Sequence, residues 1–306
     1  MVSRLDLRRF ASLLAGLGLA LAATVVRTSQ GAENSAAKPA EIAAKAKYLR
    51  VVHDSHDRTV ALETAIVSFG PAAAGGAKVR VDLVAAVHIA DKSYYQELNK
   101  RFAGYDVVLY ELVAPEGTRV PKGGRKDKRA GNMLSAVQLG MKDMLKLEFQ
   151  LEQVDYTRKN LIHADLSPDQ FVKSMRDHQE GFSDIFTRLL AYALAKQAQG
   201  GDGGETQLLM ALFDKNRSLA LKRAMADQFE EMEGMTAVLE GPKGGTLIAA
   251  RNKRALEVLK QQLAAGKKKI AIFYGAGHMA DMEKRLRADF SMTPNETQWL
   301  QAWDMK

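Results

Sequence analysis

The chain has 306 residues, of which 46% are hydrophobic and 26% are charged, and its net charge is +8. These values are typical of a globular protein with one large domain or two small ones, long enough to bury a full core. Because the chain contains no cysteine, disulfides, thiolate metal sites and a cysteine nucleophile are excluded.

The N-terminal segment is predicted to direct export. Three arginines among the first nine residues precede an apolar run over residues 10–26, and small residues follow. This layout is typical of a signal peptide, although an uncleaved anchor helix remains open. We assign residues 1–31 to a signal peptide or anchor and residues 32–47 to a linker. The predicted location is periplasmic or extracellular, with membrane contact only through this segment.

The first part of the folded chain is predicted to be rich in strands. Apolar and β-branched runs over residues 49–53 and 59–69 flank a polar turn. A third strand over residues 79–87 leads directly to His88. A histidine at this position is of interest because ligands of open α/β sheets bind at the carboxyl ends of strands.

A helix and a further strand follow the first histidine. Residues 91–102 have helical spacing, and Asp91 is placed to cap that helix. Residues 105–113 read as a strand with Glu111 near its carboxyl end. The order strand, helix, strand is typical of a right-handed βαβ unit.

The middle of the chain, about residues 130–245, is predicted to be a large helical insert that covers the strand ends. The loop before it contains a basic run at 122–129 without aromatic residues, so we predict a solvated loop and no nucleic-acid partner. Helical spacing of apolar residues is found over 133–151, 168–198 and 207–235.

The C-terminal part repeats the earlier strand–His–helix design. An amphipathic helix over residues 246–263 contains Arg251, and an apolar strand over 270–274 leads through Gly-Ala-Gly to His278. A helix and a closing strand over 297–305 follow. We therefore predict an α/β (α+β) domain over 48–306, with a central mixed sheet built from two strand–His–helix units.

Three side chains are candidates for a shared site. His88, Glu111 and His278 each end a predicted strand, and the carboxyl ends of parallel strands meet at one edge. Two imidazoles and a carboxylate form a common ligand set for a divalent metal, and such a metal can activate water. The set does not select among Mn, Co, Zn and Fe. The alternatives are histidines bonded to backbone, and a glutamate in a cap or salt bridge.

Two stretches carry a family resemblance. Residues 83–111 resemble the first motif region of the TraB/GumN/Tiki family, in which a strand ends in Gly-x-x-His and a later strand ends in glutamate. Residues 251–286 resemble the second region, in which Arg-Asn opens a helix and a strand leads into Gly-x-Gly-His. Residues 164–171 resemble the middle region.

The resemblance implies a metal-dependent protease acting on a peptide or protein. His88, Glu111 and His278 would hold the metal (Mn, Co or Zn), and Glu111 could instead be the general base. Arg251 would bind substrate or an oxyanion, or only orient Glu111 through an ion pair. The alternatives are a non-catalytic peptide-, haem- or metal-binding protein and an esterase of the erythromycin-esterase type.

Two further features remained open in the sequence. Ala85 stands where the family has glycine, which puts the activity in doubt if that glycine lets a ligand approach the backbone. Near the middle motif, His163 or Asp165 is a candidate to line the pocket, with a helix cap by Asp165 as the alternative.

Overall fold

In the computed structural model of this protein, the described residues are 48–72, 79–124, 144–178, 203–240 and 245–306, with single helical positions at 187 and 191. The predicted signal or anchor, the predicted linker and most of the basic run lie outside these residues.

The described chain alternates strands and helices, which confirms the α/β fold class. The strands are β1 (Leu49–His53), β2 (Thr59–Pro71), β3 (Arg80–Ala86), β4 (Ile89–Ala90), β5 (Val107–Tyr110), β6 (Glu148–Phe149), β7 (Leu161–His163), β8 (Lys269–Gly275) and β9 (Met292–Asp304). The α-helices are α1 (Lys92–Phe102), α2 (Gln150–Gln153), α3 (Pro168–Asp177), α4 (Gly203–Leu212), α5 (Arg217–Glu240), α6 (Arg251–Ala264) and α7 (Met279–Phe290). Among these described helices, none is both long and apolar enough to cross a membrane.

Seven of the strands form one mixed sheet. Its parallel part has the order β3, β8, β5, β7, so β8 lies between the strands that precede His88 and Glu111. Antiparallel strands β1, β2 and β9 complete the sheet on the β3 side. All four parallel strands therefore end at the same edge of the sheet. The predicted convergence of His88, Glu111 and His278 requires this arrangement.

Side chains of the sheet alternate between two cores, as the two-residue period of a strand demands. On one face, Ile270, Ile272 and Tyr274 of β8 pack with residues of α6 and α7. On the other face, Ala271 and Phe273 pack with residues of α1 and α5. The sheet is thus covered by helices on both sides, which explains why its central strands are mostly apolar, with Asp82 of β3 as a buried exception paired with Arg80.

The predicted insert at about 130–245 is helical over α3, α4 and α5 but also supplies two strands. Strand β7 joins the central sheet beside β5, and the short β6 pairs with β4 directly after His88. The sequence analysis missed both, because runs of two and three residues are too short to display a period. A continuous helix over 133–151 is predicted, but strand β6 interrupts it at Glu148–Phe149, within the part that the structure describes.

The cap predicted for α1 is wrong. Asp91 occupies the position before the helix, but its side chain makes no capping hydrogen bond. Its carboxylate instead accepts hydrogen bonds from Lys222 of α5 and from the backbone N–H of Asp304 in β9. Leaving the buried Lys222 without a charge partner would cost more free energy than leaving the helix end uncapped, so Asp91 bonds Lys222.

Candidate functional site

The four residues predicted for one site lie together at the carboxyl edge of the sheet. The Arg251 guanidinium is 2.6 Å from Glu111 Oε1, and His278 Nε2 is 3.5 Å from the same oxygen. A methyl group placed on Gly275 would lie 3.8 Å from His88 Nε2 and 3.4 Å from Glu111 Oε2. Strand register therefore brings together residues separated by up to about two hundred positions in sequence.

The turn after β8 lies against this cluster. Neither Gly275 nor Gly277 has a positive φ, so backbone freedom is not the reason for a glycine in this turn. A methyl group at Gly275 would meet Glu111 and both histidines at ordinary contact distances of 3.4 to 3.8 Å, so space does not require a glycine there either. Its backbone N–H donates a 2.7 Å hydrogen bond to Glu111 Oε2, which anchors that carboxylate to β8.

Arg251 connects three parts of the chain. It begins α6 directly after a π-helix over Thr246–Ala250, a feature that is frequent at functional sites. Nη2 donates to Glu111 and to Asp165, at 2.6 Å each, and Nε donates to Asp165 at 3.0 Å. Among the described residues, Nη1 makes one long contact, 3.4 Å to His278 Nε2. One guanidinium nitrogen is thus left facing the imidazole.

Asp165 follows β7 and is completely buried. Its carboxylate meets Arg251 at two points and accepts the backbone N–H of Leu166. The predicted helix cap by this residue is wrong, because Ser167 caps α3 in a reciprocal pair with Gln170. His163, the other candidate here, bonds the Leu112 carbonyl and does not reach the ion pair.

The orientation of His278 is fixed by Asn252, a fully buried residue. The amide Nδ2 of Asn252 donates to the His278 carbonyl and to Asp281 Oδ2, both at 2.9 Å. The amide oxygen must then face His278 Nδ1, which lies 2.7 Å away, so this network assigns the ring proton to Nδ1. Nε2 consequently carries a lone pair that points toward Arg251 and Glu111.

The charges of the site are set by these contacts. Burial by itself would raise the pKa of Glu111, but Arg251 and the two histidines outweigh it and hold that pKa well below its usual range. For Arg251, burial disfavours the charged form, yet Glu111 and Asp165 raise its pKa above the ordinary value. Glu111 is therefore an anion of weak basicity and Arg251 a permanent cation.

His88 is the exposed member of the cluster, whereas Glu111 and His278 are nearly buried. It follows β3, and its backbone carbonyl accepts the N–H of Gln150 beside the β4–β6 pair. Since the other site residues are covered by protein, His88 marks the side on which a molecule from solvent would arrive.

Comparison of the chain with family models, curated proteins and solved structures found no match. The resemblance to the TraB/GumN/Tiki family therefore stays a prediction.

Two of the three predicted metal ligands, Glu111 and His278, already contact other groups of the protein. Both Glu111 oxygens are already bonded, one to Arg251 and one to the Gly275 N–H, and the His278 lone pair faces a guanidinium. An ion at this point would stand next to the positive charge of Arg251. The part of the chain that the structure describes contains no group of three His, Asp or Glu placed to hold a metal.

Ala85, the departure from the family motif, is an ordinary strand residue. It is fully buried in β3 with no positive φ, and its carbonyl accepts a 3.1 Å hydrogen bond from Tyr94. Its methyl group packs in the core shared with α6 and α7. The alanine therefore fits the backbone that it occupies.

Sequence reasoning missed two residues that shape the site and left a third undecided. In the sequence, Asn252 stands out only as part of the Arg-Asn pair, and Tyr274 only as a strand residue. The Tyr274 hydroxyl donates to the Ala164 carbonyl, and its ring packs edge-on against His278. Asp165 was an open candidate. The signal for Asp165 in the sequence is its place within the middle motif, residues 164–171.

Proposed function

We propose that this protein is a hydrolase of carboxylic acid derivatives, with a peptide bond as the first substrate class and an ester as the second. The supporting observation is the 3.4 Å contact between His278 Nε2 and Arg251 Nη1, a lone pair beside a fixed cation at the carboxyl ends of parallel strands. General bases and oxyanion donors in hydrolases have these two properties.

In this proposal His278 is the general base. Its Nδ1–H is held by Asn252, so the unprotonated nitrogen is Nε2, which would take a proton from water in place of its long contact with Arg251 as the water oxygen attacks the substrate carbonyl carbon. The imidazolium that forms is stabilised by Glu111 Oε1, 3.5 Å away. Contacts of this length are common before substrate binds and shorten in the reacting complex.

Arg251 stabilises the negative oxygen of the tetrahedral intermediate through Nη1. Its other nitrogens are bonded to Glu111 and Asp165, so the guanidinium is held in place before the reaction begins. A preorganised cation in a covered site stabilises developing charge more than a mobile one would. The low pKa of Glu111 argues against this residue as the base and assigns it to orienting Arg251 and Gly275.

The proton then leaves with the product. Collapse of the intermediate breaks the bond between the carbonyl carbon and the leaving nitrogen or oxygen. The imidazolium of His278 then returns the proton to the leaving amine or alcohol. His88, the exposed member of the cluster, would contact that leaving group. The products are one carboxylic acid and one amine or alcohol.

The ester reaction is the second candidate because an ester needs less activation of its carbonyl than an amide does. The same imidazole base and guanidinium would serve both reactions. The divalent metal stays a prediction, and no step above depends on it.

The test is a panel of peptide and matched ester substrates with the parent protein and His278→Ala. Cleavage by the parent that is lost in the variant supports the proposal, and cleavage retained in the variant contradicts it. Failure of every substrate would favour the binding-protein alternative. Mass spectrometry of protein purified without chelator, beside a His88→Ala/His278→Ala double variant, decides the metal question. Near-stoichiometric metal only in the parent would establish the metal-dependent form.

A further inference from the structure

A cavity of about 460 Å³ lies on the α6 side of the sheet. Its walls come from α3, the end of the π-helix, the first turns of α6 and Arg285 of α7. The volume is within the range of small-molecule sites. None of His88, Glu111, Arg251 and His278 lines it, so it is a separate space.

Four cations line this cavity against two carboxylates, which are Lys173, Lys253, Arg254 and Arg285 against Asp177 and Glu257. Two of the cations are already neutralised at close range. Lys173 pairs with Asp177, and Arg285 pairs with Asp281. The remaining charges are those of Lys253 and Arg254, next to each other near the start of α6, and of Glu257, so one positive charge is in excess.

Arg254 is poorly satisfied. Its ion pairs to Glu116 and Glu257 are 3.6 Å and 3.7 Å long, beyond hydrogen-bond length. Its Nε is buried without a hydrogen-bond partner among the described residues. The side chain as a whole is 26% exposed, so a molecule from solvent can reach this loosely paired guanidinium. Lys253 is exposed beside it and has no ion pair within the described ranges.

We propose that this cavity binds a small organic anion through a carboxylate or phosphate group held by Arg254 and Lys253. The planar guanidinium presents parallel donors that match two oxygens of either group, and the lysine adds a point charge. Leu166, Ala249 and Ala250 give the cavity an apolar wall for the carbon part of the ligand.

The site adjoins the catalytic cluster through the backbone. Leu166 follows Asp165, and Ala250 precedes Arg251, so two residues that line the cavity are chain neighbours of residues in the candidate site. Binding here requires no reaction, and the proposal is therefore independent of the proposed hydrolysis.

The experiment measures binding of inorganic phosphate and of succinate to the full-length protein by calorimetry at low salt, with neutral succinamide as the uncharged comparison. Parent protein, Arg254→Gln and Lys253→Gln are compared with Lys100→Gln, an exposed lysine of α1 on the opposite face of the sheet. Lys253 is exposed, so its substitution leaves folding intact, and thermal unfolding of each variant checks this.

We expect at least one anion to bind the parent, succinamide not to bind, and Arg254→Gln to weaken affinity by about tenfold or more. Lys253→Gln should weaken it less, and Lys100→Gln should not change it. Which anion binds more tightly identifies the group. No binding of either anion, or equal weakening in Lys100→Gln, would overturn the proposal.

Discussion

Arg251 and Asp165 form a buried two-point ion pair across 86 residues of sequence. Asp165 has no exposed side-chain surface, and the same guanidinium also holds Glu111. One interaction thus joins the end of β7, the end of β5 and the start of α6. The position of Arg251 relative to His278 depends on it.

This ion pair should show strong energetic coupling in a double-mutant cycle of Arg251→Gln and Asp165→Asn. Removing one partner leaves the other charge buried, so we expect each single variant to lower the free energy of unfolding by about 3 kcal/mol. The double variant should lose much less free energy of unfolding than the two single variants lose together. Urea unfolding measures all four proteins.

The surface pair of Arg58 and Asp54 gives the matched comparison, because more than half of the Arg58 side chain is exposed. Its cycle should yield a coupling below about 1 kcal/mol. Equal coupling in the two cycles would contradict the structural role given to Asp165.

Replacing His278 by alanine should lower kcat/KM by about 10²- to 10⁴-fold on whichever substrate the panel identifies, because the general base is lost. His53→Ala, at an exposed strand end, is the control and should keep the parent rate. Circular dichroism and unfolding midpoints establish that both variants fold. Parent-like turnover in the His278 variant would contradict its role as base.

Asn252 should control the tautomer of His278. In Asn252→Leu the acceptor at Nδ1 is gone, so we expect Nδ1–H to be lost as the dominant tautomer and kcat to fall by about 10²-fold or more. Nitrogen-15 chemical shifts of the imidazole report the tautomer without any substrate.

Exchanging the side chains at positions 252 and 281 tests whether the tautomer of His278 can be restored. The double variant Asn252→Asp/Asp281→Asn keeps an oxygen facing Nδ1 and a donor–acceptor contact between positions 252 and 281. It should restore the tautomer and part of the rate. An unchanged tautomer in Asn252→Leu would show that Asn252 only fills space.

Glu111 should make stability depend on pH in the acid range. Its folded-state pKa lies below its ordinary value of 4.5, so its contribution is complete above that value and is lost as pH falls through the folded pKa. Glu111→Gln should be less stable than the parent by about 3 kcal/mol near neutrality. That difference should shrink as the pH drops below 4.5.

Unfolding in urea at a series of pH values checks this prediction. Glu97→Gln serves as the control, because its ion pair with Arg101 is partly exposed and contributes little. A difference between parent and Glu111→Gln that stays constant down to strongly acid pH would contradict it.

The convergence of His88, Glu111 and His278 was predictable from sequence because it depends on strand direction alone. Apolar runs identify buried strands, and parallel strands of one sheet end at the same edge. The strand order, with β8 between β3 and β5, then brings the three ends side by side. Arg251 was predictable only through the resemblance of its motif.

The sequence by itself therefore determined the α/β class, the strands that carry the site and the residues at their ends, because hydrophobic period and strand polarity are local properties. Only the tertiary structure decided how those residues are bonded. Asp165 reached Arg251 through β7, a strand too short to recognise, and Asn252 reached His278 through the packing of α6 on α7. Side-chain partners across such distances depend on how buried charges and donors satisfy one another, which no spacing encodes.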